Sequence, residues 1–146
     1  MTKKITRLFF MVMAICCLLS TQVFALNDTN IQKANESEAF IRTSHTSDLS
    51  TETGKYLYGA DVIAKNGATS SYVSIVIQQR ANGGDYADVP GTFRSCISDG
   101  TYATADGVWF VPSGYWYRTK ATFIVNKDGK EYKVEEYSNH FWYPKS

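Results

Sequence analysis

Cysteine is scarce in this chain: there are three in 146 residues, and Cys16 and Cys17 both fall in an apolar run near the N-terminus. Histidine is scarcer, with His45 and His140 alone. Neither has His, Cys or carboxylate neighbours at a ligand spacing, which argues against a metal centre, and no cofactor is expected. The alternating Asp/Asn series of a calcium loop is missing, and so is the Gly-x-Ser-x-Gly elbow of serine hydrolases. No run approaches the roughly 20 apolar residues needed to span a bilayer. Beyond the first few residues no basic stripe or cluster occurs, which argues against nucleic-acid and anionic-membrane partners.

What is present begins with an export signal. Lys3, Lys4 and Arg7 precede the apolar run 8–19, which is followed by the polar Ser20, Thr21 and Gln22, with Val23 and Ala25 placed before a cut after residue 25. This order is that of a secretory signal peptide over 1–25. Its removal takes three of the 15 basic residues and leaves 12 against 14 acidic ones, so the mature charge is about −2 rather than +1. It also leaves Cys96 as the lone thiol. No intramolecular disulfide can then form, and an ordinary hydrophobic core must hold the domain. Export without disulfides fits a Gram-positive bacterial protein, secreted to the extracellular side.

Residues 26–55 are rich in Asn, Asp, Thr, Ser, Glu and Lys and read as a polar, flexible leader, either spacer or propeptide. From 56 to 146 the texture becomes aromatic and β-branched, punctuated by Gly, Asn and Asp, the pattern of a strand-rich domain. Val73, Ile75 and Ile77 alternate with Tyr72, Ser74 and Gln78. In the clearest strand, 115–126, Tyr117, Thr119, Ala121, Phe123 and Val125 alternate with Arg118, Lys120, Thr122 and Asn126. Asn126-Lys127-Asp128-Gly129 predicts a hairpin with Gly129 in the left-handed region. About seven strands at such spacings predict an all-β, antiparallel β-sandwich of the immunoglobulin-like kind.

A resemblance enters at Val111-Pro112-Ser113-Gly114-Tyr115-Trp116-Tyr117. This stretch resembles the approach to the penultimate strand of immunoglobulin and fibronectin type III domains, where an apolar residue, a turn and a tyrosine six residues beyond the apolar one form a corner. The resemblance implies that Tyr117 is a structural lock whose hydroxyl returns to nearby backbone, with Gly114 in the turn. The block 71–138 also resembles small secreted Gram-positive proteins of unknown function. It shares with them a Gln-rich strand (Ile77-Gln78-Gln79-Arg80), Tyr86-Ala87-Asp88-Val89, the corner and a charged final hairpin. Antibody-type paired cysteines and the intersheet tryptophan are missing, and Tyr86 stands where an aromatic plug would be. These are fold motifs and imply no activity.

Catalytic constellations are weak. Cys96 could pair only with His140, which follows it, since His45 falls in the leader, whereas enzymes of the sortase type place the histidine well before the cysteine; Asp85, Asp88, Asp99 and Asp106 read as solvated turn formers rather than paired glycosidase acids. The chain is therefore not expected to be an enzyme. Aromatic residues remain. Trp116 falls on the polar face of its strand, and His140-Phe141-Trp142-Tyr143 holds too many rings for one strand face to bury. Trp116, Trp142 and Tyr143 are the candidate ligand-binding residues. They suit a non-catalytic binding module engaging an envelope glycan or a protein. The alternatives are a bacteriocin-like effector and a self-associating structural protein with free sheet edges.

Overall fold

The computed structural model describes residues 39–145. The expected signal peptide, 1–25, and the first part of the expected leader, 26–38, lie outside the described residues. Nine strands follow one another: β1 (Phe40–Leu49), β2 (Lys55–Ala64), β3 (Ala68–Arg80), β4 (Ala87–Asp88), β5 (Arg94–Ser98), β6 (Tyr102–Phe110), β7 (Tyr115–Lys127), β8 (Lys130–Tyr137) and β9 (Phe141–Tyr143). They form two antiparallel sheets. The smaller has the order β1-β2-β6; in the larger, β3 and β7 are central, with β4 and β5 along the outer side of β3 and β8 and β9 along the outer side of β7. This is an immunoglobulin-like β-sandwich.

The core between the sheets is built by period-two alternation. Tyr56 and Val62 of β2 meet Val73, Ile75 and Ile77 of β3 and Tyr117, Phe123 and Val125 of β7, all essentially inaccessible to solvent. Burying each of these Val, Ile and Phe side chains contributes about 1.5–3 kcal/mol relative to leaving it exposed. Aromatic contacts tie the layers, with the Tyr56 ring 6.2 Å from Tyr117 and 5.9 Å, edge-on, from Phe141. Trp109 packs against this core while its neighbour Phe110 points outward, 67% exposed.

Nine strands rather than about seven result from two departures. The first corrects the flexible leader: β1, inside 26–55, pairs with β2 along its length. Its buried side chains include the apolar Phe40 and Leu49 at the two ends and Thr43, His45 and Ser47 between them, and the polar middle joins the sandwich through contacts that hydropathy does not register. The second is the division of the last strand. Ser138 interrupts the pairing by accepting the Thr119 N–H on its hydroxyl at 2.8 Å and donating its own N–H to the Thr119 carbonyl at 2.9 Å. The chain then resumes as β9 against Tyr115–Tyr117.

Two turns fix the strand ends near the site. Between β7 and β8 the two-residue loop Asp128-Gly129 has φ of 53° and 73°, the doubly left-handed turn that matches strand twist. At Gly114 the left-handed φ of 89° selects glycine, and a Cβ there would also have to displace the Lys145 side chain.

Candidate functional site

The alternation that buries Tyr117 and Thr119 turns Trp116, Arg118 and Lys120 to the outer face of the larger sheet. Pairing places Trp142 of β9 and Arg80 of β3 on either side of Trp116, and Gln78 beside Arg118. Tyr86, in the loop before β4, lies across this face. The rings and guanidiniums interleave in the order Trp142, Trp116, Arg80, Tyr86, Arg118, Tyr137. The two indoles are 5.4 Å apart. The Arg80 guanidinium carbon lies 5.9 Å from the Trp116 ring centroid and 4.8 Å from that of Tyr86. Arg118 is held between Tyr86 at 3.9 Å and Tyr137 at 4.1 Å. Each such contact adds about 0.5–2 kcal/mol, more when shielded from water.

Polar contacts orient one end of this ladder. The Arg118 Nε–H donates to the Gln78 carbonyl oxygen at 2.9 Å, and the Gln78 amide donates to Asp88 at 2.8 Å. The other guanidinium is not so held: the Nε of Arg80 and the hydroxyl of Tyr86 are buried without hydrogen-bond partners. His140 stands edge-on to Tyr86 at 5.3 Å, and its imidazole is held below the ordinary value, first by burial and then by the charges of Arg118 and Arg80. Trp142 is 38% and Tyr137 41% exposed, so the ladder ends in open rings.

Of the three aromatic residues singled out in the sequence, the structure brings Trp116 and Trp142 together and sends Tyr143 elsewhere. Tyr143 follows Trp142 in a strand and points to the opposite face, where it packs against the core and lies close to Gly54. Tyr86 is not a plug of the interior, because it covers the outer face. Arg80, Arg118, Tyr137 and His140 are further members of the site. The alternation of β7 already places Arg118 beside Trp116 on the wet face; the partners from β3 and β8 depend on strand register, which the sequence does not show.

Tyr117 is fully buried and its hydroxyl donates to the Pro112 carbonyl at 2.6 Å, joining the start of β7 to the turn before it. Burial, reinforced by neighbouring Tyr115 and Tyr143, pushes its phenol up to about 12. Between the sheets, His45 Nδ1 meets Glu136 Oε2 at 3.1 Å, and Thr43 donates to the other carboxylate oxygen at 2.5 Å. His45, which the sequence reading placed in the flexible leader, is thus buried between the sheets. Burial works to raise the Glu136 carboxyl, but the hydrogen bonds from His45 and Thr43 and the His45 charge hold it below its ordinary value.

Among the described residues no three His, Cys, Asp or Glu side chains gather as a metal site. Cys96 packs against the core from β5, with β3 and β7 between it and β9. Asp88 and Asp106 lie on opposite faces of the sandwich, too far apart to act on one bond. The outer face of the smaller sheet carries a shallow hollow of about 70 Å³ where Gly59 and Gly107 lie beside Leu57 and Val108. No protein-family model matches the chain, and no curated protein matches it.

Proposed function

We propose that this protein is a secreted, non-catalytic binding module of the bacterial envelope, and that its outer β3-β7-β9 face holds a glycan. The observation that carries this reading is the side-by-side placement of Trp116 and Trp142 on the wet face of a central strand, extended through the ladder to Tyr137. Indoles left in contact with water forgo hydrophobic stabilisation that burial in the core would supply. Side by side and tilted 40° to one another, they offer apolar surface for the C–H faces of sugar rings. A row across a sheet suits a polymer chain better than a small molecule, which is usually enclosed in a cleft.

Co-sedimentation of the exported protein with purified insoluble Gram-positive cell walls tests this. Wild-type protein is expected in the pellet, and Trp142→Ala is expected to bind about tenfold more weakly, since one stacked ring contributes roughly 1–3 kcal/mol when the partner is a planar base. Equal retention of the two proteins would remove the basis of the proposal.

A second reading, self-association, is favoured by Tyr102, Val108 and Phe110, exposed on β6, the edge strand of the smaller sheet. Sedimentation velocity over a concentration series decides it, a strict monomer counting against it.

A further inference from the structure

The aromatic face carries positive charge that no carboxylate among the described residues balances in an ion pair. Five ion pairs occur among the described residues: Arg42–Asp61, His45–Glu136, Lys120–Glu135, Lys127–Asp128 and Lys133–Glu135. Neither Arg80 nor Arg118 is in any of them. Asp88, the carboxylate nearest in register, accepts from the Gln78 amide, and Gln78 rather than Asp88 accepts from Arg118. The Arg80 side chain makes no hydrogen bond to a described residue; its contacts are the faces of Tyr86 and Trp116. The whole chain has a net charge of only +1, so two unpaired guanidiniums on one face are not the by-product of a basic composition. The depressed imidazole of His140, set partly by these two charges, reflects the same positive field.

We infer that the ligand of this face is an acidic glycan, a polymer whose sugar or polyol units bear carboxylate or phosphate groups, with Arg80 as the residue that selects for the charge. This deepens, and rests on, the reading of the face as a glycan platform. A guanidinium placed over two rings is restrained by them, and although its Nε is buried its two terminal Nη groups can together meet the two oxygens of a carboxylate or phosphate. Directly paired strand neighbours such as Arg80 and Trp116 stand about 5 Å apart. One unit of a polymer can therefore stack on the indole while its own acid group, or that of the next unit, meets the arginine. Aromatic stacking alone is indifferent to charge, so the arginines supply the discrimination.

Tryptophan fluorescence titration of the exported protein with three probes tests the inference: oligogalacturonate for carboxylate, a glycerol-phosphate oligomer for phosphate, and chitotetraose as a neutral glycan. At least one acidic probe is expected to bind about tenfold or more tightly than the neutral one, with affinity falling severalfold as salt shields the charges. Preference between the two acidic probes identifies which acid is read. Arg80→Gln is expected to lower acidic affinity about tenfold more than neutral affinity, collapsing the acid-to-neutral ratio, with Arg80→Lys intermediate because it keeps charge without the fork. If Arg80→Gln does not fold, the acid-to-neutral ratio and the salt dependence of the wild type decide the matter. Equal affinity for all three probes, or acidic binding indifferent to salt, overturns the inference and leaves the platform reading standing. Wall retention that depends on Trp142 without binding of either acidic probe does the same. Loss of wall retention itself takes both down.

Discussion

Tyr117 shows how one atom can hold a corner. Its ring is part of the core, and only its hydroxyl reaches back to the Pro112 carbonyl. Tyr117→Phe keeps the ring and removes that bond, so a loss of about 1 kcal/mol is expected in chemical denaturation, with the fold retained. Alkali acts on the same group. The folded phenol titrates near 12 and an unfolded one near 10.0, so the unfolded state releases its proton first as pH rises. This contribution to stability is complete below pH 10 and is lost as pH climbs towards 12; the Phe variant should have a shallower alkaline limb. At the other end of the scale, Glu136 is held below its ordinary 4.5. Its contribution is complete above that value and is lost as the pH falls through the lowered folded pKa. His45→Ala strands the buried carboxylate, and a loss of about 3 kcal/mol at neutral pH is expected, together with a flatter acid limb.

Among the elements, the turns and β1 contrast. Asp128-Gly129 declared itself in the sequence because a hairpin turn with two positive φ values selects Gly for local, steric reasons. Gly129→Ala should cost about 1 kcal/mol in thermal or chemical denaturation without altering the pairing of β7 with β8, since nothing lies near its missing side chain. The alternation of β3 and β7 was equally legible, because each buries a full apolar row. β1 was not. A strand whose buried apolar side chains are only Phe40 and Leu49, at its ends, with Thr43, His45 and Ser47 between them, looks like a leader until Glu136 and Thr119, over 70 residues away, are brought opposite it. The same limit explains the site: alternation placed Trp116 on the wet face, but only register brings Arg80 and Trp142 to its two sides. Tyr143 was misplaced because a cluster of rings in sequence is divided between two faces once it becomes a strand.

At the scale of the molecule, the two sheets present different outer surfaces. The smaller sheet exposes Tyr102, Val108 and Phe110, whereas the larger interleaves rings with guanidiniums at one end and carries the Lys120–Glu135–Lys133 ion-pair group towards the other. The central claim is that the ladder face is where a glycan rests. The three tryptophans make an internal test, because Trp116 and Trp142 are in the ladder while Trp109 packs on the core from the smaller sheet. The indole N–H resonances of the exported protein can be followed by NMR as soluble fragments of its cell wall are added. The account predicts that the signals of Trp116 and Trp142 shift or broaden in step with saturation while that of Trp109 stays in place. Saturable binding that moves Trp109 and leaves the other two unchanged would contradict it.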